Sequence, residues 1–103
     1  MTVARIARLV VLAALAPLAA TAAIARADAG DDAFLSVLTA KGIHFGSPDK
    51  ALIAGHEVCD ELNTGRSMNQ VASTVMANSG LDGYHAGFFV GASIRAYCPK
   101  YAS

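Results

Sequence analysis

Two kinds of apolar pattern divide the chain. From Leu9 to Ala16 every residue is apolar, with no period at all. From residue 31 onward apolar residues recur three and four apart, and the runs are cut at Gly42, at Asn63-Thr64-Gly65, at Asn78-Ser79-Gly80 and at Pro99. A 3.6-residue period interrupted by turn and breaker residues predicts helices joined by short loops, four of them here.

The first predicted helix runs from about Asp31 to Lys41. Asp31 and Asp32 sit at the positive end of its dipole, Phe34, Leu35 and Leu38 form its inward stripe, and Gly42 terminates it. A loop through Ile43 and Phe45 leads to Ser47-Pro48, a cap followed by proline at the first helical position. On the second helix Ala51, Leu52, Gly55, Val58, Cys59 and Leu62 share one face, opposed by Lys50, Glu57, Asp60 and Glu61. Ser67 to Gln70 matches a capping box and opens a third helix with the stripe Met68, Val71, Ala72, Val75 and Met76. The fourth, from about Asp82 to Cys98, is apolar nearly all round apart from His85, Ser93 and Arg95, which marks it as central. Gly87, Gly91 and Cys98 fall on one line of it, as Gly55 and Cys59 do on the second. Small residues let backbones approach, so these two helices are expected to cross at Gly55 and Gly91 within disulfide range.

The aperiodic N-terminal segment changes the setting of this bundle. Arg5 and Arg8 precede the apolar run, and Ala25-Arg26-Ala27 places small residues at an A-x-A cleavage site. Together they read as an export signal over residues 1–27. The rival reading, a membrane anchor from Leu9 to Ile24, is broken by Pro17 and shorter than the roughly 20 residues a span requires. Residues 28–103 are then a single secreted helical domain, extracellular or in the cell envelope, with no stable membrane insertion after cleavage. Cleavage also uncovers a charge. The chain has eight basic and eight acidic residues, and losing Arg5, Arg8 and Arg26 leaves five bases against eight acids, a net charge of −3. Such a domain is a poor match for nucleic acid or an anionic lipid surface.

A core of this size is only marginally stabilising. Cys59 and Cys98 are the only cysteines, they lack C-x-x-C spacing, and an oxidising compartment favours their bonding. Closing a loop of about 40 residues contributes about 4 kcal/mol in the chain-entropy picture. The expected architecture is all-α: about four short helices stapled by a Cys59–Cys98 disulfide.

The order Asp31-Asp32-Ala33-Phe34-Leu35, Gly42-Ile43, Gly55 with Val58-Cys59, Leu62 with Gly65, Phe89-Val90 and Tyr97-Cys98-Pro99 resembles the domain of unknown function 732 family. That family consists of small exported actinobacterial, chiefly mycobacterial, proteins. The resemblance spans essentially all of residues 28–103. It implies a compact helical domain bridged by Cys59 and Cys98, and it brings no activity, cofactor or catalytic residue.

Candidate chemistry is sparse. His44, His56 and His85 are too scattered in sequence for a zinc motif, and no metal or cofactor is expected. His56 is placed to pair with Asp60 one turn on. No G-x-S-x-G elbow is present, and Glu57, Asp60 and Glu61 fall on a solvated face where nothing raises an acid's pKa, so no enzyme is expected. The expected function is non-catalytic binding of a protein or envelope component, with Ile53, Phe88 and Phe89 as interaction candidates. The alternative is a carrier of haem or a small apolar ligand. Tyr84 and His85 would hold it beside Phe88 and Phe89, or Met68, Met76, Phe34 and Phe45 would line a lipid groove.

Overall fold

The computed structural model describes residues 29–102. The expected export signal over residues 1–27 and the expected cleavage after Ala27 lie outside the described residues. Helix α1 occupies residues 29–40, α2 Pro48–Asn63, α3 Met68–Ser79 and α4 Gly83–Tyr97, followed by one 3-10 turn, Pro99–Tyr101. No strand occurs among the described residues.

The boundaries follow from local chemistry. Helical backbone is already present at residue 29, ahead of the Asp31-Asp32 pair, and the Asp31 carboxylate accepts from the Tyr97 hydroxyl. At the other end of α1 the Gly42 amide donates to the Thr39 carbonyl (3.0 Å) and the Ile43 amide to the Leu38 carbonyl (2.9 Å). This double closure requires a left-handed residue, which Gly42 supplies at φ +75°. It also brings Ile43 and Leu38 into the core together. Ser47 Oγ accepts from the Lys50 amide at the start of α2, with Pro48 inside the first turn. The capping box is complete: the Gln70 amide donates to Ser67 Oγ (3.1 Å) and the Ser67 amide to Gln70 Oε1 (2.8 Å). Asp82 caps α4 through the His85 amide at 2.8 Å.

Helix α4 is the hub. It packs on α2 and on α3, which touch each other only lightly. Ala86, Phe89, Val90, Ala92, Ser93 and Ile94 are buried on it. Phe89 is 0 % exposed, its ring 5.8 Å from that of Phe34 and 4.8 Å from that of Phe45. Ser93, also buried, donates its hydroxyl to the Phe89 carbonyl at 2.8 Å, so the polar group costs little. Cys59 and Cys98 are bonded, with their α-carbons 5.9 Å apart, joining α2 to the end of α4. Tyr101 donates its hydroxyl to Asn63 Oδ1 at 2.6 Å and pins the C-terminal turn to the end of α2.

Three expectations change. The crossing of α2 and α4 does not bring Gly55 against Gly91. A Cβ on Gly55 would stand 2.8 Å from the Phe34 ring and 3.2 Å from the Tyr97 ring, whereas one on Gly87 or Gly91 would meet nothing within 4 Å. The reason lies in register: Cys98 leaves the helix with φ −146°, so it no longer shares the line of Gly87 and Gly91, which turn outward with Tyr84 and Arg95. In α3 only Val71 is buried; Met68 and Met76, at the end and the edge of the stripe, are 47 % and 40 % exposed. His56 pairs with neither Asp60 nor solvent alone, as described next.

Candidate functional site

The residues proposed for a ligand, Tyr84 and His85, stand at the first turn of α4 and face outward. Tyr84 is 64 % exposed, its ring edge-on to His85 at 5.2 Å, with Lys41 Nζ 5.1 Å from its centre. The same ammonium sits 5.0 Å from the centre of the half-buried Phe88 ring, so Lys41 roofs both rings from the end of α1. His85 Nδ1 lies 2.9 Å from Asp82 Oδ1. The His85 amide, and secondarily its imidazole, hold the Asp82 carboxyl below its ordinary range by hydrogen bonding to the charged form. This is capping chemistry. Neither of the two recesses described below is lined by Tyr84 or His85.

A second cluster gathers where α1, α2 and α4 meet. Tyr97 donates its hydroxyl to Asp31 Oδ1 at 2.6 Å. The His56 ring stacks on Tyr97 with centres 3.9 Å apart, and its Nε2 lies 3.9 Å from Asp31 Oδ1. Burial, then the hydrogen bond to Asp31 and its charge, push the Tyr97 phenol well above its ordinary pKa. The partner of His56 is therefore Asp31, far off in sequence, because stacking on Tyr97 turns the imidazole away from Asp60. The trio fastens α1 beside the Gly55 notch. Among the described residues no three of His, Cys, Asp and Glu are grouped to hold a metal ion.

Two open recesses remain. One, of about 240 Å³, lies under the α1–α2 loop among Leu35, Leu38, Ile43, Phe45, Pro48 and Ala51. The other, of about 200 Å³, runs between α2 and α3: Ala54, Glu57, Val58 and Glu61 form one wall, Thr74, Val75, Asn78 and Ser79 the other, and Phe45 the floor. Arg66 closes its end, donating to Glu61 Oε1 (2.7 Å), to Thr74 Oγ1 (2.9 Å) and to the Gln70 carbonyl (3.3 Å). Both volumes fall below the roughly 300–1,000 Å³ usual for small-molecule pockets.

Residues 30–100 match the family described as "Protein of unknown function (DUF732)". The chain belongs to this family. Among DUF732 relatives, it is 38 % identical over 79 residues to Uncharacterized protein Mb1323c of Mycobacterium bovis, covering 77 % of this chain and 71 % of that one. It is 34 % identical over 79 residues to Uncharacterized protein Rv1271c of Mycobacterium tuberculosis, covering 77 % and 70 %. No solved structure matches significantly. Membership in DUF732 carries no residue roles, so the site rests on geometry.

For this DUF732 chain the interaction candidates separate. Ile53 is 60 % exposed on the outer side of α2, Phe88 is half-buried under Lys41, and Phe89 is in the core. Phe89 thus offers no contact surface: it points to the buried side of α4, about 100° round the helix from the half-buried Phe88. Phe34 is buried as well, and neither recess is lined by Met68 or Met76, so the four residues of the expected lipid groove do not come together. Nothing in the apolar spacing singles out Arg66, whose role depends on two helices being side by side. The run Ala54, Glu57, Val58, Glu61 was the legible signal for the groove, a helical strip half apolar and half acidic. No described helix is long and apolar enough to cross a membrane.

Proposed function

We propose that this chain is an exported, non-catalytic binding module of the cell envelope or extracellular space, and that the outer face of α2 is a contact surface. The observation that carries the reading is Ile53. It is a large aliphatic side chain held 60 % exposed on a helix whose opposite face, Ala51, Gly55, Val58, Cys59 and Leu62, already meets the full demand of the core. A scattered apolar residue is ordinary on a surface, but this one stands one turn before Glu57, which lines an open recess of mixed apolar and polar walls. The Cys59–Cys98 bond supports the exported setting, since such bonds persist in oxidising compartments.

A photo-crosslinking residue at position 53 tests the contact surface. It is expected to trap one or a few species from the envelope or medium that the same residue at position 95, on the outward face of α4, does not trap. Equal labelling from both positions would overturn the reading. Intact-mass measurement of the protein from culture medium tests export: the expected species begins at Asp28 and lacks two thiol hydrogens.

A further inference from the structure

We infer that the groove between α2 and α3 is a docking site for a cationic amphipathic helix, which seats an apolar side chain above Phe45 and sets basic side chains against α2. This deepens the reading of the outer α2 face and rests on it.

The groove is built into the architecture. Helices α2 and α3 both pack on α4 and only lightly on each other, which leaves a channel between them. Its floor is firm, because the Phe45 ring rests 4.8 Å from the fully buried Phe89 ring. Arg66 spans from Glu61 to Thr74 and fixes the separation of the walls at one end. The space, about 200 Å³, suits a single large side chain; an apolar cavity of about 150 Å³ is enough for a benzene ring. Ala54, Val58 and Glu61 recur at intervals of four and three along α2, so the wall is a straight strip of helix. A recess open along such a strip can receive one of the anchors that an amphipathic helix presents at intervals of three and four.

Charge decides the partner. Helix α2 carries Asp49, Glu57, Asp60 and Glu61 against Lys50 alone, and α3 carries no charged residue at all. Arg66 neutralises Glu61, whereas Glu57 and Asp60 make no ion pair among the described residues. Lys50 offsets one of these acids, the balance of α2 stays negative, and residues 28–103 carry five basic against eight acidic residues, a net charge of −3. An anionic lipid or nucleic acid is repelled there, and a basic helix is drawn in and oriented. Ile53, one turn before Glu57, gives a second apolar contact just outside the recess.

The probe is a synthetic Lys/Leu amphipathic peptide of about 18 residues, beyond the length at which isolated helices are marginal. Its controls are a Glu/Leu peptide and a Lys/Ser peptide of the same pattern. Amide chemical shifts of the disulfide-bonded protein are followed during titration. The Lys/Leu peptide is expected to move residues 53–61 and 74–79 and to bind about tenfold more tightly than either control. Glu57→Lys, an exposed change that spares the fold, is expected to weaken it by a similar factor, and Ala54→Trp to abolish the shifts by filling the recess. Equal binding of the Glu/Leu peptide, shifts centred on Tyr84 and Phe88, or no shifts would each overturn the inference. None of these bears on crosslinking from position 53, which judges the contact surface by itself.

Discussion

Helices α2 and α3 begin alike and end differently. Each opens on a serine whose hydroxyl takes the amide three residues on, and each carries an apolar stripe of five or six residues. Yet α2 buries Ala51, Gly55, Val58, Cys59 and Leu62, while α3 buries Val71 alone. The difference lies in their neighbours. Helix α2 is held between α1 and α4, with the Phe34 and Tyr97 rings fitted over Gly55 and the disulfide fixing its middle to the end of α4. Helix α3 has α4 on one side and solvent on the other. A cap is a contract between residues three apart; burial needs a second and a third element to arrive.

That contrast can be broken most directly at its covalent tie. Cys98→Ser, or reduction of the native protein, is expected to cost about 4 kcal/mol, seen as a large fall in the thermal midpoint; an unchanged midpoint would place the stability elsewhere. Next in size is Gly55→Leu, expected to cost about 1–3 kcal/mol or more by overpacking, because Phe34 is itself enclosed and cannot withdraw. Its counterpart, Gly91→Ala, has open space around the new methyl and is expected to raise stability by about 0.5–1 kcal/mol through helix propensity. Denaturant titration of the two variants side by side sharpens the point, and similar losses in both would restore a glycine-to-glycine crossing.

Smaller effects follow on the open side. The double change Met68→Ser, Met76→Ser is expected to stay within about 0.5 kcal/mol of the native protein, since both side chains already face water. Asp82 gives a pH signature. Its carboxyl titrates below the ordinary range in the folded protein, so its contribution is full above about pH 3.9 and fades as pH falls through the lower folded value. Asp82→Asn, which keeps a capping oxygen without the charge, is expected to flatten the acid limb of a midpoint-versus-pH curve. An identical acid limb would assign that slope to other carboxylates.

Much of the fold was legible because helix ends are local events. Ser47-Pro48, the Ser67–Gln70 box and Gly42 place their boundaries within a residue or two, and each does so by hydrogen bonds made inside five residues. The disulfide was legible too, since the chain has two cysteines and they admit one pairing. Which glycine is covered was not legible. Gly55 and Gly91 look equivalent on a helical wheel, and only the arrival of the Phe34 and Tyr97 rings over Gly55 separates them. Phe88 and Phe89 look equivalent on a helix apolar all round, yet one lies under Lys41 and the other in the centre of the core.

The candidate site divides in the same way. Its acidic strip on α2 and the uncharged face of α3 can be read from composition at helical spacing. The recess between them cannot, because it exists only where two helices lean on a third and leave a gap. Sequence alone determined the helices, their caps, the staple and the acidic excess of α2, all of which depend on residue identity and spacing along the chain. Tertiary structure alone decided that His56 and Tyr97 meet Asp31, that Arg66 joins α2 to α3 and that Phe45 floors a groove. Those contacts span residues far apart in the chain, and their distances are set by how whole helices pack.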